Sequence, residues 1–98
     1  MAFVQLIEYT TSKPEEVERV VREWEQSSQG KRTARRVLLA RDRNDPTRYR
    51  EIVTFDSYES AMENSHLPET QEYAKKMMDL MDGEPVFHDL DVLEDREL

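Results

Sequence analysis

A chain of 98 residues, 37% hydrophobic and 37% charged, has room for one core, and its apolar residues fall in periodic blocks, which argues against disorder. With no cysteine, a disulfide framework and a thiolate metal site are excluded, so packing alone must hold the fold. The net charge of −8 repels nucleic acid and anionic membrane, leaving neither as an expected partner. No apolar run approaches the about 18 residues of a membrane helix, and Met1 to Glu8 lack the basic start of a leader, so a cytoplasmic protein is expected.

Residues 3–9, rich in β-branched and aromatic side chains, read as a first strand. Ser12 and Glu15 stand at capping-box spacing around Pro14, and Val17, Val20, Val21 and Trp24 then repeat at the spacing of one helical face. Gly30 suits the position just past that helix. Residues 33–41 and 49–55 read as two strands of a hairpin, because Asp42 to Thr47 favour a turn and Pro46 cannot extend a ladder.

A second helix starts at Asp56-Ser57-Tyr58-Glu59 and carries Tyr58, Ala61 and Met62 on one side. Pro68 disfavours helical geometry at Leu67, which predicts a break near His66, after which Tyr73, Ala74, Met77, Met78 and Met81 resume the stripe. Gly83 ends it, residues 84–93 form a last strand, and residues 94–98 are a charged tail.

The order β-α-β-β-α-β makes one domain over residues 1–98, of α+β class and ferredoxin-like: a four-stranded antiparallel sheet with two helices on one face. The other face has no cover, yet the strands carry bulk on both sides. Phe3, Ile7 and Tyr9 oppose Val4 and Leu6 in the first strand, while Ala34, Leu38 and Ala40 oppose Val37 and Leu39 in the second. A homodimer through the open face is the simplest cover. Charge is uneven too. Eight basic residues and two acids between Lys31 and Arg50 give that stretch +6 and leave −14 elsewhere, so a basic arm should meet acidic surface on its own or a partner chain, such as Glu94, Asp95 and Glu97.

No glycine-rich phosphate loop, zinc spacing or nucleophile elbow is present, and Asp89 and Asp91, though they share a strand face, are ordinary solvated carboxylates. No metal is expected. His66, four residues after Met62 and beside the predicted break, is a candidate general base or haem ligand; the plain alternative is a histidine capping the interrupted helix. His88 alternates with Val86 and Leu90 and should face an apolar layer. Trp24 is core or pocket wall, and Met77, Met78 and Met81 are core filler or an adaptable pocket lining.

The element order, and residues 49–70 from Tyr49-Arg50-Glu51-Ile52-Val53-Thr54-Phe55 through Ser57-Tyr58-Glu59 to His66-Leu67-Pro68, resemble the antibiotic-biosynthesis-monooxygenase-like domains of the dimeric α/β-barrel superfamily, and are similar to bacterial members. That resemblance implies a dimeric barrel. It covers oxygenases, isomerases, haem-degrading enzymes and plain ligand binders. Haem degraders of the group use an Asn, a Trp and a His, where Gln5, Phe55 or Tyr58, and His66 stand here; only the His matches, so haem is disfavoured and no cofactor is expected. Cofactor-free oxygenases of the group place Trp, Asn, Tyr or His around an aromatic substrate, a role open to Trp24, Gln5, Tyr49 and His66. The site is expected between the inner sheet face and the helices, with catalytic candidates His66, Trp24 and Tyr49 and ligand-binding candidates Gln5, Met77 and Met78. A cofactor-free monooxygenase-like or isomerase-like enzyme for a small aromatic or polyketide-like molecule is one function open to it. A non-catalytic dimeric binding or accessory protein for a small apolar ligand is the other.

Overall fold

Successive side chains of a strand point to opposite faces. In the computed structural model, which describes residues 1–98, this sorts β1 (Phe3–Thr10) into Phe3, Gln5, Ile7 and Tyr9 toward the helices and Val4, Leu6 and Glu8 away from them. β2 (Arg36–Arg41), β3 (Arg48–Phe55) and β4 (Val86–Asp91) complete a four-stranded sheet of order β2-β3-β1-β4, every pair antiparallel. α1 (Pro14–Ser27), α2 (Tyr58–Ser65) and α3 (Pro68–Leu80) cover the inner face alone. This is the expected ferredoxin-like arrangement, with three helices instead of two because the second is cut at Leu67-Pro68, where Leu67 takes an extended ψ of 135°.

The inner face divides into two apolar groups. Tyr9 and Tyr49 pack with Val17, Val20 and Val21 of α1 and Met77 of α3. Phe3, Val53 and Phe55 pack with Ala61 of α2. Phe3 also meets Tyr58 edge-on at 5.4 Å between centroids, a favoured aromatic geometry. On β3 the inner residues run Tyr49, Glu51, Val53, Phe55, so a carboxyl stands where the two groups meet.

Local chemistry departs from the sequence reading at several ends. The Ser12–Glu15 capping box does not form: α1 is capped at Lys13 without a side-chain bond, because Thr11 Oγ takes that work, accepting from the Lys13 N–H at 3.0 Å and donating to the Leu80 carbonyl at 2.6 Å. Ser57 does cap α2, accepting from the Ser60 N–H. β2 begins at Arg36, not at residue 33, since Thr33 is drawn to α2: its N–H donates to Asn64 Oδ1 and its hydroxyl to the Ser60 carbonyl. β4 is confined to Val86–Asp91, because only that stretch pairs with β1. Gly30 and Gly83 sit two residues beyond the caps Ser28 and Met81, one place later than read from the sequence, in left-handed conformations (φ +79° and +87°) that side chains resist.

The outer face is uncovered. Val4, Leu6, Leu38, Ile52, Val86 and Leu90 share it, with Leu38, Val86 and Leu90 each 44–50% exposed. Its polar corner is one network: Glu8 accepts from Arg50 at 3.1 Å, Arg50 reaches Asp42 at 3.6 Å, and His88 lies 3.5 Å from Glu8. His88 thus shares the face with Val86 and Leu90 but borders an acid rather than a closed apolar layer. The basic arm is partly neutralised within its own chain by Glu69, Asp56 and Glu8, whereas the tail acid Glu94 pairs with Arg96. No helix is long and apolar enough to cross a membrane.

Candidate functional site

Strand alternation forces Glu51 to the inner face, where it is 4% exposed between α1 and α3. Tyr73 projects from α3 toward it, and its hydroxyl lies 2.9 and 2.8 Å from the two carboxylate oxygens. One phenol proton is shared between two acceptors, and no cation faces the pair. Removing a carboxylate from water with a single donor is costly, so burial pushes the Glu51 carboxyl above its ordinary range, the Tyr73 hydrogen bond pulling only partly back. The same burial, reinforced by the Glu51 charge, raises the Tyr73 and Tyr9 phenols far out of the physiological range. Tyr9 Oη is buried with no hydrogen-bond partner. An acid, its donor and an orphan phenol therefore lie along the inner face.

Trp24 closes one end of this group. Its ring lies 5.6 Å from Tyr73, its Nε1–H donates to Thr70 Oγ at 3.0 Å, and it forms a wall of two surface clefts. One cleft, of about 190 Å³, runs between α1 and α3 past Val20, Glu23, Tyr73 and Lys76. The other, of about 180 Å³, lies between the end of α1 and the start of β2. Glu51 lines neither.

The candidates read from the sequence are only partly brought together. Tyr49 and Met77 are buried in one group, with Tyr49 stacked on Tyr9 at 5.9 Å, and Trp24 adjoins that group through Tyr73. Gln5 is on the inner face but turns to the β4 edge, donating to Asp89 at 3.4 Å. His66 is not on the apolar side of its helix: it is the exposed C-cap of α2, because the turn ends one residue before Leu67 extends. Met78 is 48% exposed, since one step from Met77 on a helix is about 100°, off the buried stripe. No three His, Asp or Glu side chains converge to hold a metal ion. Glu51, Tyr73 and Tyr9 were missed as a set, although the inner positions Tyr49, Glu51, Val53 and Phe55 are legible from alternation alone.

No protein-family model and no curated protein matches the chain. Solved structures do. SnoaB of Streptomyces nogalater, a cofactor-independent oxygenase, is 15% identical with a TM-score of 0.81, covering 96% of this chain and 95% of that one. A Caulobacter crescentus protein assigned as an antibiotic biosynthesis monooxygenase is 17% identical with a TM-score of 0.82 over 95% and 91% of the two chains. A conserved protein of Methanosarcina mazei is 9% identical with a TM-score of 0.81 over 92% and 91%. The chain therefore has the fold of the antibiotic-biosynthesis-monooxygenase-like proteins, as its sequence resemblance implied.

A carboxyl raised by folding keeps its full stabilising contribution below its unfolded pKa, near 4.5, and loses it as pH rises through the folded value. Thermal midpoints followed upward from pH 4.5 should thus fall for the natural chain relative to Glu51→Gln, whose amide cannot ionise. Parallel curves would show Glu51 to be ionised in the fold without penalty.

Proposed function

We propose that this domain is a cofactor-free monooxygenase-like or isomerase-like enzyme that takes a proton from a small aromatic or polyketide-like molecule, with Glu51 as the base. The observation that carries this reading is the buried Glu51 carboxyl, which has one phenol donor and no cation, on the helix-covered side of the sheet. A base is most effective with its pKa near the working pH, and burial moves a carboxyl in that direction. The likeness in fold to SnoaB supports the oxygenase form of the reading.

In the oxygenase reaction, Glu51 removes a proton from an activated ring CH2. The carbanion passes one electron to O2, and the resulting radical pair joins to form a C–O bond. The peroxide anion regains the proton from Glu51, and loss of water leaves a ring carbonyl; one O2 is consumed, and one oxygen atom enters product while the other leaves as water. In the isomerase form the proton returns to a different carbon. Tyr73 steadies the Glu51 anion, while Trp24, Tyr49 and Met77 supply apolar wall and Gln5 a polar edge. Because Glu51 lines no cleft, the ring reaches it by parting α3 from α1, which breaks the Trp24–Thr70 hydrogen bond. His66, the exposed C-cap of α2, stands outside that opening and takes no part in the step. The same seclusion of Glu51 favours the second reading, a non-catalytic dimeric ligand-binding protein. Oxygen uptake with an anthrone separates the two: turnover should fall by about 10²-fold or more in Glu51→Gln, the usual share of a general base, with little change in KM. Equal rates with and without the protein would leave the binding reading.

We also propose that a second copy covers the outer face, pairing Leu6, Leu38, Ile52 and Leu90 with their symmetry mates, since an apolar sheet face is rarely left to water. Light scattering at micromolar concentration should give twice the 11.7 kDa chain mass, and Ile52→Glu should return one chain mass while keeping the helical circular dichroism. A folded natural chain at one chain mass would overturn it.

A further inference from the structure

We propose that the cleft between the end of α1 and the start of β2 binds the acidic end of an aromatic carboxylate, with Arg32 on its anion and Ala34 and Val37 against its ring, while Trp24, 6% exposed beneath the Arg32 guanidinium, backs the cleft. This cleft is separate from the α1–α3 opening that leads to Glu51, and the proposal stands whether or not the domain is an enzyme. The cleft is lined by Trp24, Glu25, Arg32, Arg36, Ala34 and Val37, together with Arg35. At about 180 Å³ it is smaller than the 300–1,000 Å³ of pockets that enclose a whole drug-sized ligand, which suits one ring with its acid group.

Arg32 is held in place before any ligand arrives. Its guanidinium lies 5.7 Å from the Trp24 ring centroid and one amino group donates to the Glu25 carbonyl at 2.6 Å. A weaker donation at 3.4 Å reaches Ser28 Oγ. None of these partners is a carboxylate. Arg32 therefore keeps its full charge and part of its donor fork, the geometry that matches a carboxylate. Its neighbours are spent differently: Lys31 pairs with Glu69, and Arg35 is bidentate to Asp56, so neither answers to a ligand. Arg36 has no acidic partner, but strand alternation turns it to the outer face with Leu38, which leaves Arg32 as the free cation of the cleft. Glu25 is the one acid lining it, and it opposes an anion. On a chain of net charge −8, an anion is repelled from most of the surface, so binding here must come from these local charges.

Trp24 is the only tryptophan, which makes its fluorescence a reporter of this cleft. The probes are 4-nitrobenzoate and its neutral isostere 4-nitrobenzamide, both quenchers of indole emission. Saturable quenching by the carboxylate, at least tenfold tighter than by the amide and weaker at high salt, is expected. Arg32→Gln, which keeps a donor for the Glu25 carbonyl, should lose at least tenfold in affinity with an unchanged circular dichroism spectrum, and Glu25→Gln should gain a fewfold. Linear collisional quenching, equal affinity for the amide, or an Arg32→Gln variant that binds as tightly would overturn the proposal. The natural chain separates the two readings: carboxylate binding without turnover leaves this cleft standing and removes the enzyme, whereas turnover without carboxylate preference does the reverse.

Discussion

A carboxyl group cannot be taken out of water without a partner, and this fold takes one out with only a tyrosine to meet it. The Glu51–Tyr73 contact ties the central strand β3 to α3, and it does so at the seam between the two apolar groups of the core. An aliphatic side chain at position 51 would join those groups and exclude water at no electrostatic cost. Replacing a buried polar pair by packed hydrocarbon is often neutral or stabilising. The polar seam is therefore hard to explain as a device for stability, and burial there raises the carboxyl above its ordinary value.

The rest of the structure follows from where the helices can lie. Right-handed strand-helix-strand connections put all three on one side of the sheet, which shields Glu51 and leaves Val4, Leu6, Leu38, Ile52 and Leu90 bare on the other. The break at Leu67-Pro68 gives α3 its own direction, so that Tyr73 and Met77 face α1 while α2 keeps Ala61 against Phe3 and Phe55. Across the opening between α1 and α3, three exposed or half-buried polar links, Trp24–Thr70, Lys76–Glu23 and Lys31–Glu69, are all that side chains add to apolar contact. The two ion pairs among them are exposed and individually weak.

The fold was legible in the sequence because its signals are short-range: alternation in the strands, a 3.6 period in α1, turn residues at 42–47 and Pro68. The site was less so. His66 reads as inward from its place four residues after Met62 and beside the break, yet its neighbour Leu67 extends and the turn carries it to solvent. Met78 was read as part of a stripe whose centre is Met77. The Ser12 cap failed for a reason no local pattern contains, since Thr11 is held by Leu80, far along the chain. Glu51 is the opposite case. Its inward position follows from Tyr49, Val53 and Phe55 by alternation alone, and a charged residue at an inward position is the signal that pattern reading passed over.

The protonation of Glu51 can be observed directly by carbon-13 NMR of glutamate side-chain carboxyls, assigned by loss of one signal in Glu51→Gln. The expected result is a midpoint clearly above the ordinary glutamate value near 4.5, moving higher in Tyr73→Phe because the donor that favours the anion is gone. A midpoint at or below the ordinary value in the natural chain would contradict the account, since Glu51 would then be a stabilised anion rather than a carboxyl raised by burial.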